Sequence, residues 1–318
     1  MAALAWLGPG VLAKADEPTR TDRDEAHRRH VLDPTSSLAS RIEATPASVL
    51  DLFKQADRRS PEIHALADPE RRQLGAAIDS FPALHRKVLR ERLRVISFLD
   101  GMPNTALTSV VNPDEPYALF DITINAAILR QDVSDWLTRK ERSCFDASGS
   151  MMSVSVEAGK LDALVYVLLH EATHVVDASL KLTPMIPDEG QPGGVKPVPT
   201  AFTDGVWSEL SVPTPRYRDP IRDRVRFYEA GGVIPVDRAG EVYDSLRRTP
   251  FVSLYGARNW LDDLAEYVTV FHLTETLKQP FRIVIRKGGE EVFGYEPMKA
   301  DLVRGRVGLM DQFYRMGP

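Results

Sequence analysis

The sequence predicts an α+β fold. Three observations carry the prediction. Segments with helical spacing of apolar residues and short segments with strand-like alternation follow one another irregularly, without an internal repeat. Apolar residues make up 43% and charged residues 27% of the chain, which places it among ordinary globular proteins. The longest helical pattern, Leu161 to about Leu180, is preceded directly by a short alternating strand. The 318 residues suffice for one large domain or two ordinary ones.

Taken in order, residues 2 to 13 are apolar and close on Ala13-Lys14-Ala15. This pattern resembles the end of a secretory signal and would place the protein in the periplasm or outside the cell. No Lys or Arg precedes the run and Gly8-Pro9-Gly10 interrupts it, so a frayed terminus is the other reading. Residues 16 to 40 are dense in charge and read as a solvated lead-in. Thr45-Pro46 forms a helix start, and the helix Ala47 to Ala56 puts Val49, Leu50 and Phe53 on one face. A stronger helix is expected from Ala83 to Leu99, with Leu84, Val88, Leu89, Leu93, Ile96 and Leu99 near helical spacing and a basic outer face. Residues 16–100 are thereby expected to form a helical N-terminal region, and 101–318 the second domain.

Beyond Gly101, Leu107 to Val111 and Tyr117 to Ile124 read as strands around the turn Asn112-Pro113-Asp114. Asp132 to Glu141 reads as a helix, and Met151 to Val156 as a strand. Residues 183–220 hold eight of the 23 prolines with little periodicity, a long irregular insertion. Helices are expected near Asp237 to Arg248, Trp260 to Leu277 and Met298 to Phe313. A hairpin is expected around Lys287-Gly288-Gly289-Glu290.

Composition excludes several classes. With 40 Lys+Arg against 45 Asp+Glu the chain carries no basic excess, so no nucleic-acid partner is expected. Its single cysteine, Cys144, excludes an intramolecular disulfide and a cysteine-based zinc cage. No apolar run approaches the ~20 residues that span a bilayer, so no integral membrane segment is expected.

The long helix contains His170-Glu171-Ala172-Thr173-His174. Histidines at i and i+4 lie one above the other on one helical face, so their imidazoles can converge on one Zn2+. Glu171 lies about 100° further round, where a carboxylate can take a proton from an attacking water. Chance production of this pattern in such a chain is on the order of one in a hundred. A third ligand is needed. Three and six residues beyond His174 stand Asp177 and Leu180, which excludes the metzincin continuation. His272, flanked by Val270, Phe271 and Leu273, suits a core or rim position better than ligation. In the helix after Tyr255-Gly256, Asp262 and Glu266 stand at i and i+4. Two acids on an apolar stripe need a cation or hydrogen-bond donors. A metal ligand followed one turn later by a supporting acid would meet that need, and a solvated acidic face shared with Asp263 is the other reading.

His170-Glu171-x-x-His174-x-Val176-Asp177 resembles the active-site helix of the anthrax lethal factor-like zinc metallopeptidases, of the gluzincin type. Tyr255-Gly256-x-x-Asn259-x-x-Asp262-x-x-Ala265-Glu266 is similar, without a gap, to that family's second block. Together the two matches cover about a sixth of the chain. The resemblance implies a mostly helical zincin-like domain with a small mixed sheet and one Zn2+ per chain. It also implies a peptide or protein substrate. It puts Asp262 in the place of the family's glutamate ligand and Glu266 in that of an acid standing behind the ligands. Tyr255 then matches the tyrosine that stabilises the oxyanion or acts as an acid. Two departures stand out: Asp262 is one methylene shorter than Glu, which leaves Glu266 as an alternative ligand, and the interval from His174 to Asp262 is long. In zinc peptidases generally, a strand placed like Met151 to Glu157 can pair with extended substrate, which nominates Ser153, Val154 and Ser155 for substrate binding. The expected activity is a zinc endopeptidase with Glu171 as general base. The alternative is a non-catalytic, zinc-binding pseudo-peptidase that holds a peptide or partner.

Overall fold

A computed structural model describes residues 17–57, 61–187, 190, 194–228 and 234–315. The signal-like stretch lies outside the described residues. The fold is mixed, 45% helical and 20% strand, with the strands in several small sheets, which is compatible with α+β. No described helix is long and apolar enough to cross a membrane. The chain divides into two compact units that interleave along the sequence. One comprises the residues up to Arg130, Val167–Val195 and the residues from Phe313; the other comprises Gln131–Tyr166 and Lys196–Gln312.

The first unit is built on a four-stranded sheet of order β1-β2-β4-β3, from β1 (Glu62–Ile63), β2 (Leu93–Asp100), β3 (Ala106–Val110) and β4 (Phe120–Asn125). β2 runs parallel to β4, and β3 antiparallel to it as an outer strand. Helix α1 (Arg20–Arg29) replaces the expected solvated lead-in. It starts in a capping box in which Thr19 Oγ1 accepts from the Asp22 amide at 3.2 Å and the Asp22 carboxylate accepts from the Thr19 amide at 2.8 Å. Ala26 and Leu32 then pack with Tyr117 and Leu119. The helix has no apolar stripe, so its capping pair was the only sequence signal. Helix α2 (Ala47–Asp57) buries Val49 and Phe53 against Leu99, Met102 and Leu107, with Leu50 packed alongside, as the sequence predicts. Helix α3 (Asp68–Asp79) was not anticipated.

Helix α4 (Ala83–Arg92) ends seven residues before Leu99, and its expected continuation is the strand β2. Leu93, Val95, Ile96, Phe98 and Leu99 are all buried. A strand covered on both faces shows an apolar run with no period of its own, so here it imitates a helical continuation. The stop comes from a distant residue. The buried Arg41 guanidinium donates to the carbonyls of Leu89 at 3.0 Å, Arg90 at 2.9 Å and Leu93, where the helix gives way to the strand. Arginines of the basic face are also used internally: Arg94 pairs with Asp121 at 2.5 Å, and Arg92 stacks on Tyr117 at 3.4 Å.

The second unit holds an antiparallel sheet in which β6 (Arg282–Lys287) lies between β5 (Met152–Glu157) and β7 (Glu290–Tyr295). The expected hairpin is the β6–β7 turn, with Gly288 and Gly289 at φ 59° and 94°. Helices α5 (Val133–Arg142), α7 (Ala239–Arg247) and α8 (Trp260–Phe271) belong to the same unit. The Pro-rich stretch contains short strands rather than featureless loop, among them Trp207–Glu209 paired with Val212–Pro213. The expected last helix is broken into short turns, of which Asp301–Arg304 and Asp311–Tyr314 are α-helical. Helix α6 (Ala163–Leu180) runs from one unit into the other and matches the long helix read from the sequence.

Candidate functional site

Apolar residues on all sides bury the middle of α6, where Val167, Leu168, Leu169, Val175 and Val176 are each at most 3% exposed. Its buried Thr173 and Asp177 side chains are engaged in hydrogen bonds of their own. Thr173 Oγ1 donates to the Leu169 carbonyl at 2.8 Å and meets His85 Nε2 of α4 at 3.0 Å. Beyond the motif, the buried Asp177 carboxylate accepts from the Thr183 amide at 2.7 Å and from the Thr183 hydroxyl. Burial pushes Asp177 above the usual carboxylate range, and the two Thr183 bonds work in the opposite direction.

On this helix His170 and His174 turn to the same side. Their rings stand nearly perpendicular, at 84°, with centroids 4.9 Å apart, and their Nε2 atoms approach to 3.2 Å. Two nitrogens each about 2.0–2.1 Å from a tetrahedral ion stand roughly 3.3 Å apart, so the pair has the spacing of two ligands on one cation. Glu171 is buried beside them, and Thr108 of β3 donates to its Oε2 at 2.7 Å and to its backbone carbonyl at 3.2 Å. Thr108 was missed in the sequence. Nothing local connects a strand threonine to a carboxylate 63 residues away.

In the other unit, α8 begins at Asn259. Its Oδ1 accepts from the Asp262 amide at 2.8 Å, and its Nδ2 donates to Asp262 Oδ2 at 2.6 Å. One side chain therefore caps the helix and orients the Asp262 carboxylate. The neighbouring acids do not form a solvated face. Asp263 is fully buried and accepts from both Arg306 nitrogens, at 3.0 and 2.8 Å, and from Trp207 Nε1 at 2.9 Å. Glu266 is 1% exposed. Its Oε2 accepts from Ser253 Oγ at 2.6 Å and Tyr166 Oη at 3.0 Å, and its Oε1 from Lys140 Nζ at 3.3 Å. Both oxygens of Glu266 are thus engaged within its own unit. Tyr255 is half-buried, its ring edge-on to Phe227 at 5.3 Å. His272 lies buried at the end of α8, in keeping with a core position.

His170 and His174 belong to one compact unit and Asp262 to the other.

The nominated substrate strand meets a covered edge. Outward-facing backbone groups of β5 are taken by α5: Thr138 Oγ1 accepts from the Val156 amide at 2.9 Å and donates to its carbonyl at 3.3 Å. Arg142 Nε donates to the Val154 carbonyl at 2.8 Å. On the other side, Ser153, Val154 and Ser155 face Arg286, Ile285 and Val284 in the ladder with β6. Outer strand β3, which carries Thr108, is the sheet edge connected to Glu171.

No family model, no curated protein and no solved structure matches the chain.

Proposed function

We propose that this protein is a zinc-dependent endopeptidase of the zincin type, with one Zn2+ held by His170, His174 and Asp262. The observation that carries the reading is the pairing of His170 and His174, their Nε2 atoms 3.2 Å apart, beside the buried Glu171. Two neutral imidazoles and a carboxylate are a donor set that zinc takes in hydrolytic sites, with the fourth position left open. Glu266 is assigned the supporting part rather than ligation, because its two oxygens already accept from Ser253, Tyr166 and Lys140.

A bound zinc would supply Lewis acidity toward the scissile carbonyl and make water a better proton donor at neutral pH. The chain supplies the rest. Glu171 takes the proton of the attacking water and passes it to the leaving amine. Thr108 holds that carboxylate in one rotamer, so the proton acceptor is in place before substrate arrives. Tyr255 donates to the carbonyl oxygen as negative charge develops there. The outer edge of β3 gives an extended peptide a row of backbone partners beside Glu171. A peptide or protein substrate, and a periplasmic or secreted setting, belong to the same reading.

The test is cleavage of a mixed peptide library by the zinc-loaded wild type and by Glu171→Gln. Cleavage by the wild type alone is expected. Equal cleavage by both would refute the role of Glu171. Zinc bound without cleavage by either would favour the pseudo-peptidase.

A further inference from the structure

A buried cation stands behind Tyr255. Lys140 of α5 is 4% exposed, and its Nζ lies 3.8 Å from the centroid of the Tyr255 ring. Burying an ammonium is costly unless an opposite charge meets it. Glu266 provides that charge at 3.3 Å. Burial is the largest single influence and disfavours the charged amine, but the negative groups around it, Glu266 foremost, together hold Lys140 above its ordinary pKa. The ammonium therefore persists within a ring of aromatic faces, with Trp136 at 5.2 Å and Phe227 at 5.8 Å as well as Tyr255. Glu266 also fixes the turn that carries Tyr255. Ser253 Oγ donates to Glu266 and accepts from the Gly256 amide at 2.9 Å. A Cβ at position 256 would stand 3.3 Å from Glu266 Cβ, a closer approach than most side chains make.

We infer that Lys140 is a positioning residue for Tyr255: its ammonium, anchored by Glu266, clamps the phenol ring and places positive potential behind a hydroxyl that must stabilise negative charge. A cation on a desolvated ring face is worth about 2 kcal/mol, or about a thirtyfold effect on a step that uses that hydroxyl. The catalytic part of the inference rests on the peptidase reading; the clamp does not.

The experiment therefore has two readouts. Because Lys140→Met alone would strand a buried carboxylate, the test variant is Lys140→Met with Glu266→Gln, which keeps acceptors for Ser253 and Tyr166; Lys140→Arg is the charge-retaining control. The protein is labelled with 3-fluorotyrosine, and the Tyr255 19F signal is assigned by its absence in Tyr255→Phe. The signal is expected to move and broaden in the double variant and to stay near its wild-type position in Lys140→Arg. An unmoved signal in the double variant would overturn the clamp, whether or not the protein cleaves peptides. In kinetics, the double variant is expected to lose about thirtyfold in kcat with KM within twofold, and to lose nothing further in a Tyr255→Phe background. Full loss in the Tyr255→Phe background would overturn action through Tyr255. A wild type that cleaves nothing would defeat the peptidase reading while leaving the fluorine result to decide the clamp.

Discussion

The buried pair at the start of α8 gives a prediction that needs no activity. Arg306 is 6% exposed and Asp263 fully buried. The guanidinium makes two hydrogen bonds to the carboxylate, donates to the carbonyls of Pro250 and Phe202, and lies 3.5 Å over the Phe202 ring. Arg306→Met keeps most of the apolar stem but leaves Asp263 charged with Trp207 as its remaining donor. Removing one member of a buried ion pair costs about 3–5 kcal/mol. In a chain of this size that lowers Tm by roughly 10 °C. Replacing both members, Arg306→Met with Asp263→Asn, leaves no stranded charge and retains an acceptor for Trp207. The double variant is expected to recover at least ~2 kcal/mol relative to the sum of the single changes. Urea unfolding and thermal melts of the four proteins give the coupling. A Tm for Arg306→Met within about 2 °C of wild type, or strictly additive losses, would refute the claim that this pair carries the first turn of α8.

Other outcomes follow from single groups. Burial pushes the Glu141 carboxyl up to about 7, while the Tyr243 hydroxyl at 2.6 Å pulls in the opposite direction. Between an unfolded pKa of about 4.3 and that folded value, the native state holds a proton that the unfolded chain releases, so stability falls as pH rises through this window and levels off above it. Melts at graded pH should show that loss in the wild type and not in Glu141→Gln; identical profiles would count against it. Thr108→Val removes the donor to Glu171 without changing shape, and kcat is expected to drop about tenfold with little change in KM; an unchanged kcat would show that Glu171 needs no such support. Tyr255→Phe should slow turnover while leaving metal content intact, and undiminished turnover would remove Tyr255 from the mechanism.

What could be read from the sequence was what local geometry determines. The i, i+4 histidines had to share a face of α6. Strand β2 could not be separated from α4, because the residue that ends the helix, Arg41, lies 48 positions before Leu89. The same holds for Thr108 behind Glu171, for Trp207 and Arg306 on Asp263, and for Lys140 under Tyr255. Each is one half of a long-range polar pair whose other half gives no local signal. The acids of α8 show the consequence most clearly. In sequence Asp262, Asp263 and Glu266 are near-equivalent, and only their partners separate a carboxylate held by the capping Asn259 from one held by an arginine and one held by a lysine.

The central claim is that His170, His174 and Asp262 hold one zinc while Glu171 works beside it. Metal content after purification and dialysis, measured by elemental mass spectrometry on wild type, His174→Ala, Asp262→Ala and Glu171→Gln, tests it most directly. The account predicts about one zinc per chain in wild type and Glu171→Gln, and loss of most of it in the other two. A wild type without zinc, or an Asp262→Ala protein that keeps its full complement, would contradict it.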